Sequence, residues 1–135
     1  GNLKFFCEQG FSAYGIEGSP SALDKTTEFL SRLGHTPYLV QGSMTDLSMF
    51  PDRKFNLVID VRSMSNIPRS KIGQCVSEVE RVLDTGGYFL SLLYGKGCMS
   101  VEQGRQIEAG TFVDVPDGPC SNIGVVSIFD VRDVR

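Results

Sequence analysis

The chain has 135 residues, 41% of them hydrophobic and 21% charged, with a formal net charge of −3. That length supports one domain with a real core, the composition is that of an ordinary globular protein, and the charge gives no electrostatic case for nucleic acid. No apolar run approaches a membrane span and no signal-peptide pattern is read, so the expectation is a cytoplasmic protein without membrane association. Cys7, Cys75, Cys98 and Cys120 lie far apart with no C-x-x-C pair, and the single histidine, His35, neighbours none of them. They read as free thiols, and no metal site is expected.

Residues 2–10 read as the end of a helix, with Leu3, Phe6 and Cys7 on one face and Gly10 as a stop. A strand over 12–17 follows and ends in Glu17. Gly18 allows a tight turn, Ser19 suits an N-cap, and Pro20 suits the first helical position. Ala22, Leu23, Thr26, Phe29, Leu30 and Leu33 recur at helical spacing up to Gly34. A short strand over 37–41 comes next. A loop with Asp46 and Asp52 leads to Phe55–Asp60, an apolar run of the buried parallel type. Ser70 suits the cap of a helix that turns Ile72, Val76, Val79, Val82 and Leu83 inward, and Asp84-Thr85-Gly86-Gly87 breaks it. Tyr88–Leu93 reads as the next buried strand. Residues 95–110 read as a long loop or lid. Thr111–Val115 and Val125–Phe129 are β-like runs about a Pro116-Asp117-Gly118-Pro119 turn signal.

This alternation predicts an α/β fold: a doubly wound, mostly parallel sheet with flanking helices and antiparallel C-terminal strands. Parallel strands near 12–17, 37–41, 55–60 and 87–93 are expected in one sheet.

Glu17 carries the clearest chemistry. A carboxylate at a strand end, facing a turn and a helix start, can accept two hydrogen bonds from the vicinal hydroxyls of a ribose. Asp60 ends a later strand, and Arg62, Ser63 and Asn66 follow it on the rim, where Arg62 could meet an acidic substrate. Each reading has a bland counterpart. Glu17 could be a solvated strand end, Asp60 a loop cap, and Arg62, Ser63 and Asn66 solvated loop residues. His35, between Gly34 and Pro37, lies away from the carboxyl ends of the strands, and Tyr14 and Tyr94 read as packing residues.

Taken in order, these segments resemble a class I S-adenosylmethionine-dependent methyltransferase. Gly1-Asn2 resembles the end of that family's glycine-rich first loop, and Tyr14-Gly15-Ile16-Glu17-Gly18-Ser19 its second strand and turn. Gly42-Ser43-Met44-Thr45-Asp46-Leu47 resembles the turn after the third strand, and Phe55–Asp60 the fourth strand. Arg81–Phe89 is similar to the passage from helix to fifth strand. The likeness runs over 1–94 and more loosely to 135.

The resemblance implies S-adenosyl-L-methionine as cofactor, with Gly1, Glu17, Gly18, Ser19, Ser43, Met44 and Asp60 around it. It implies Asp60 as the catalytic residue and Arg62, Ser63 and Asn66 on the side of a small-molecule substrate. Ser43 stands where the family often has an acidic residue on the adenine amino group, which leaves adenine to backbone groups and Met44; Met44 serves equally as core filler. Two rival readings are a nicotinamide-binding Rossmann domain and a non-catalytic methyltransferase-fold module.

The resemblance also implies a first, central strand and most of a glycine loop before Gly1. Residues 1–135 then read as a single methyltransferase-like domain incomplete at the N-terminus and open to extension at the C-terminus. The expected solutions are a longer chain, which is preferred, a strand supplied by a partner or a swapped copy in a homodimer, or a segment from 111–129 in the gap.

Overall fold

The computed structural model describes residues 2–98 and 100–134. The chain divides into two compact units, Gly1–Asp46 and Leu47–Arg135.

In the first unit, α1 (Asn2–Glu8) leads to β1 (Tyr14–Glu17), α2 (Pro20–Arg32) and β2 (Tyr38–Gln41). Ser19 caps α2 as its sequence suggests: its backbone is extended, its side chain accepts from the Ala22 amide, and Pro20 occupies the first turn. Leu33 closes the helix, and Gly34 turns the chain away with φ of 77°. Leu30 is the residue of α2 that is fully buried, while Phe29 and Leu33, expected inward, are exposed. β1 and β2 are parallel, with Tyr14 opposite Tyr38 and Glu17 opposite Gln41. The register puts the two carboxyl ends level.

The second unit runs through β3 (Phe55–Val61), α3 (Ile72–Val82), β4 (Leu83–Leu92), β5 (Arg105–Glu108), β6 (Thr111–Val113) and β7 (Val126–Ser127). β3 and β4 are parallel, and the crossover between them carries α3. The Gly86-Gly87 pair has a steric reason. Gly86 takes φ of 78°, and a Cβ at Gly87 would come within 2.9 Å of the Asp84 carbonyl oxygen and 3.1 Å of that of Asn56.

Five expectations need correction here. The four parallel strands pair as two separate sheets, β1–β2 and β3–β4, because no strand among the described residues hydrogen-bonds to both. The 111–129 segment fills no such position: β5, β6 and β7 pair antiparallel with one another. Residues 95–110 are not one long loop, since a 3-10 turn (Val101–Gln103) and β5 lie within them. Ser70 does not cap α3. It sits inside a 3-10 turn (Arg69–Lys71) that follows Pro68, and its amide donates to Glu108. On α3, Cys75 rather than Val76 joins Val79 and Val82 in the buried row.

β3 and β4 are also less buried than apolar runs suggest. Leu57, Val61, Tyr88, Leu90 and Leu92 are all exposed. Burial concentrates elsewhere in the second unit. Val101, Phe112, Val115, Cys120, Val126 and Ile128 form a core cluster, with Tyr94 and Cys98 packed against it.

Candidate functional site

The nucleoside-type features gather at the carboxyl ends of β1 and β2. Glu17 closes β1, and its Oε1 accepts from the Ser19 amide at 2.9 Å, which fixes the Gly18 turn. Its Oε2 accepts no bond among the described residues, and the side chain is exposed. The Gly42 amide donates to the Glu17 carbonyl at 3.1 Å. A Cβ on Gly18 would stand 3.7 Å from the Gly42 carbonyl oxygen, so the turns after β1 and β2 are neighbours. In the second turn the Ser43 hydroxyl accepts from the Thr45 amide at 3.2 Å and lies 2.8 Å from the Thr45 hydroxyl. Ser43 is thus engaged in its own turn. Met44 beside it is half-buried. Gly1 lies outside the described residues.

The residues expected on the substrate side follow the carboxyl end of β3, beside that of β4. Asp60 lies opposite Ser91 in the parallel register. Its Oδ1 accepts from the Ser63 and Met64 amides at 2.9 and 3.2 Å, and its Oδ2 accepts the Ser91 hydroxyl at 2.8 Å. The carboxylate assigned a catalytic role is therefore spent on capping a 3-10 turn (Met64–Asn66) and on a cross-strand bond. Its charge also reaches Cys75, whose thiol is pushed up to about 11, first by burial and then by Asp60.

Arg62 takes the left-handed conformation, φ 69°, and its amide donates to the Leu92 carbonyl at 2.8 Å. Its guanidinium lies over the Tyr94 ring, 5.4 Å from the centroid. Burial raises the Tyr94 phenol first, the Cys120 thiol beside it raises it further, and Arg62 partly offsets both. Ser63 and Asn66 are exposed on the turn between them. Sequence reasoning passed over the groups that hold this loop. Fully buried Ser65 accepts the Tyr94 amide at 2.9 Å. Buried Ser127 donates to the Ile67 carbonyl at 2.7 Å, and buried Thr111 accepts the Arg69 amide at 3.1 Å. Ser91 carried a usable signal: one polar residue near the carboxyl end of each of two apolar runs is the mark of a cross-strand pair.

A family model described as methyltransferase domain matches residues 1–87. The chain belongs to that methyltransferase family. Among solved structures, the PH0226 protein of Pyrococcus horikoshii OT3 is 28% identical at a TM-score of 0.61, over 67% of this chain and 43% of its own. A SAM-dependent methyltransferase of Methanosarcina mazei is 18% identical with a TM-score of 0.79, covering 96% of this chain and 68% of its own. One from Clostridium acetobutylicum ATCC 824 is 18% identical with a TM-score of 0.73, covering 99% and 65%. The last two likenesses bear on the fold alone. This chain spans less than half of the PH0226 protein. Among curated proteins, none matches the chain. The family implies S-adenosylmethionine as the cofactor. Among the described residues, no group of His, Cys, Asp and Glu could hold a metal ion, and no helix is long and apolar enough to cross a membrane.

Proposed function

We propose that residues 1–135 form one methyltransferase-like domain that transfers a methyl group from S-adenosylmethionine to a small-molecule acceptor, with the carboxyl ends of β1 and β2 holding the nucleoside part of the cofactor. The observation that carries this is the Glu17 carboxylate. One oxygen is tied to the Ser19 amide, and the other accepts nothing among the described residues beside the Gly42–Met44 turn. An acceptor-only carboxylate beside backbone amides and a half-buried thioether is the set of groups a ribose and an adenine require. The residues present fit the cofactor.

When bound, the cofactor supplies a methyl already activated by a cationic sulfur. The protein's task is then to hold donor and acceptor close and aligned. Glu17 accepts the ribose hydroxyls. Gly18 and Ser19 keep that carboxylate in place. Met44 offers apolar contact to the base, and Ser43 shapes its turn. In the second unit Asp60 acts as a positioning residue, because its capping bonds fix the direction in which Arg62, Ser63 and Asn66 leave the strand. Those three line the acceptor side. Two buried hydroxyls and the Tyr94 amide make that loop a fixed wall.

Thermal shift tests the reading. S-adenosylmethionine and its demethylated product should each raise the unfolding midpoint, and NAD should not. A rise with NAD alone, or with none of the three, would overturn it.

A further inference from the structure

The amino ends of β3 and β4, where Phe55 stands opposite Leu83, lie at the other end of these strands from Asp60 and Ser91. There the second unit carries a cavity of about 520 Å³, a size that suits a small molecule. Val76, Val79 and Leu83, spaced three and four apart along α3 and its end, line it together with Phe89 of β4. Its exposed rim carries Arg53, Glu80 and Asp84. Arg32, Arg69, Arg81, Arg105 and Arg132 are all ion-paired. Arg53, which shares a cavity with two carboxylates, is not paired among the described residues, and Glu80 accepts no hydrogen bond there. The backbone keeps these charges apart. The Arg53 amide donates to the Arg81 carbonyl at 2.9 Å, and Glu80 lies within α3. Asp84 opens the turn through Gly86 and Gly87, and its Oδ1 accepts the Thr85 amide at 2.8 Å. Its Oδ2 accepts nothing among the described residues.

We infer that this cavity binds a free α-amino acid with an apolar side chain, as its zwitterion. A ligand of one charge leaves part of the rim unmatched: an anion meets two carboxylates, and a cation meets the guanidinium. A zwitterion answers both. Its ammonium goes to Glu80 and Asp84, at the end of α3 where the last helical carbonyls add negative potential. Arg81 does not offset that potential, because Glu78 and Asp52 neutralise it. The ligand carboxylate meets Arg53, whose planar fork suits a carboxylate. The apolar side chain covers Val76, which is 43% exposed, and half-buried Leu83 and Phe89. The site is separate from the acceptor side at the carboxyl end of β3, and it does not rest on the methyl-transfer reading.

The test is an amide-resolved NMR titration of the folded full chain with L-leucine and L-phenylalanine. Saturable shifts are expected in the millimolar range, centred on Arg53, on Val76 to Glu80 and on Leu83 to Phe89. Three analogues of leucine each lack one feature: 4-methylpentanoate the ammonium, 3-methylbutylamine the carboxylate, and glycine the apolar side chain. Each should bind about tenfold more weakly than leucine. Arg53→Met should weaken leucine by a similar factor while leaving 3-methylbutylamine unchanged, and Glu80→Gln should do the reverse for 4-methylpentanoate. Should either variant fail to fold, the analogues on the wild-type chain decide alone. No saturable shift with either amino acid, shifts centred elsewhere, or analogues that bind as well as leucine would overturn the inference. None of these readings depends on cofactor binding or methyl transfer.

Discussion

Asp60 and Ser91 stand opposite each other on parallel strands, and the Ser91 hydroxyl donates to Oδ2 of Asp60 at 2.8 Å. The other oxygen caps the turn that begins the loop after β3. The pair thus joins the ends of β3 and β4 and sets where the loop starts.

Asp60→Ala should therefore cost stability. It removes a charged acceptor from two amides and one hydroxyl, a loss of roughly 1.5–3 kcal/mol. Ser91→Ala should cost about 1 kcal/mol, and the double variant less than the sum. Urea unfolding of the four proteins measures this. Additive effects would show that the two residues act independently.

The loop before β3 is held by charge. Glu78 on α3 accepts the Leu47 amide at 2.7 Å and Arg81 at 2.9 and 3.0 Å, while Arg81 also reaches the Phe50 carbonyl and Asp52. Arg81, and then the Leu47 amide, hold the Glu78 carboxyl at about 2, below its ordinary 4.5. A lowered folded-state value means that the unfolded chain binds more protons between the two. The stabilisation is complete above about 4.5 and is lost as pH falls toward about 2. Glu78→Gln should flatten the pH dependence of unfolding in that window. An unchanged slope would remove Glu78 from the account.

Buried Thr111 and Ser127 have hydroxyl oxygens 2.8 Å apart, and Thr111 also lies 3.0 Å from a Glu108 carboxylate oxygen. Thr111→Val keeps the shape and orphans the Arg69 amide, at a cost of about 1–3 kcal/mol. Thr111→Ser should cost clearly less, because the hydroxyl survives. Chemical denaturation compares them, and equal losses would point to packing rather than the hydrogen bonds.

The turn chemistry was readable in advance where it is local. Ser19, Pro20 and Gly34 bound α2 as their residue types require. What depended on distant partners was not. Ser70 looks like a cap because serine often is one, but Pro68 forces a 3-10 turn ahead of the helix and Glu108, 38 residues away, takes its amide. β5 escaped notice because Arg105-Gln106-Ile107-Glu108 shows only one apolar residue; pairing with β6 makes it a strand. Leu57, Tyr88, Leu90 and Leu92 read as buried because apolar strands usually are, yet periodicity reports what a face prefers and not what covers it. At the candidate site, Glu17 was legible from its place before Gly18, whereas the two duties of Asp60 needed the register with Ser91.

In the proposed function, Glu17 holds the cofactor ribose. Calorimetric titration of S-adenosylhomocysteine into the wild-type chain and into Glu17→Ala measures that role. Loss of a charged acceptor should weaken binding by roughly 1.5–3 kcal/mol, about 10- to 150-fold, in a variant that unfolds at the wild-type temperature without ligand. Equal affinity of the two proteins would contradict the claim.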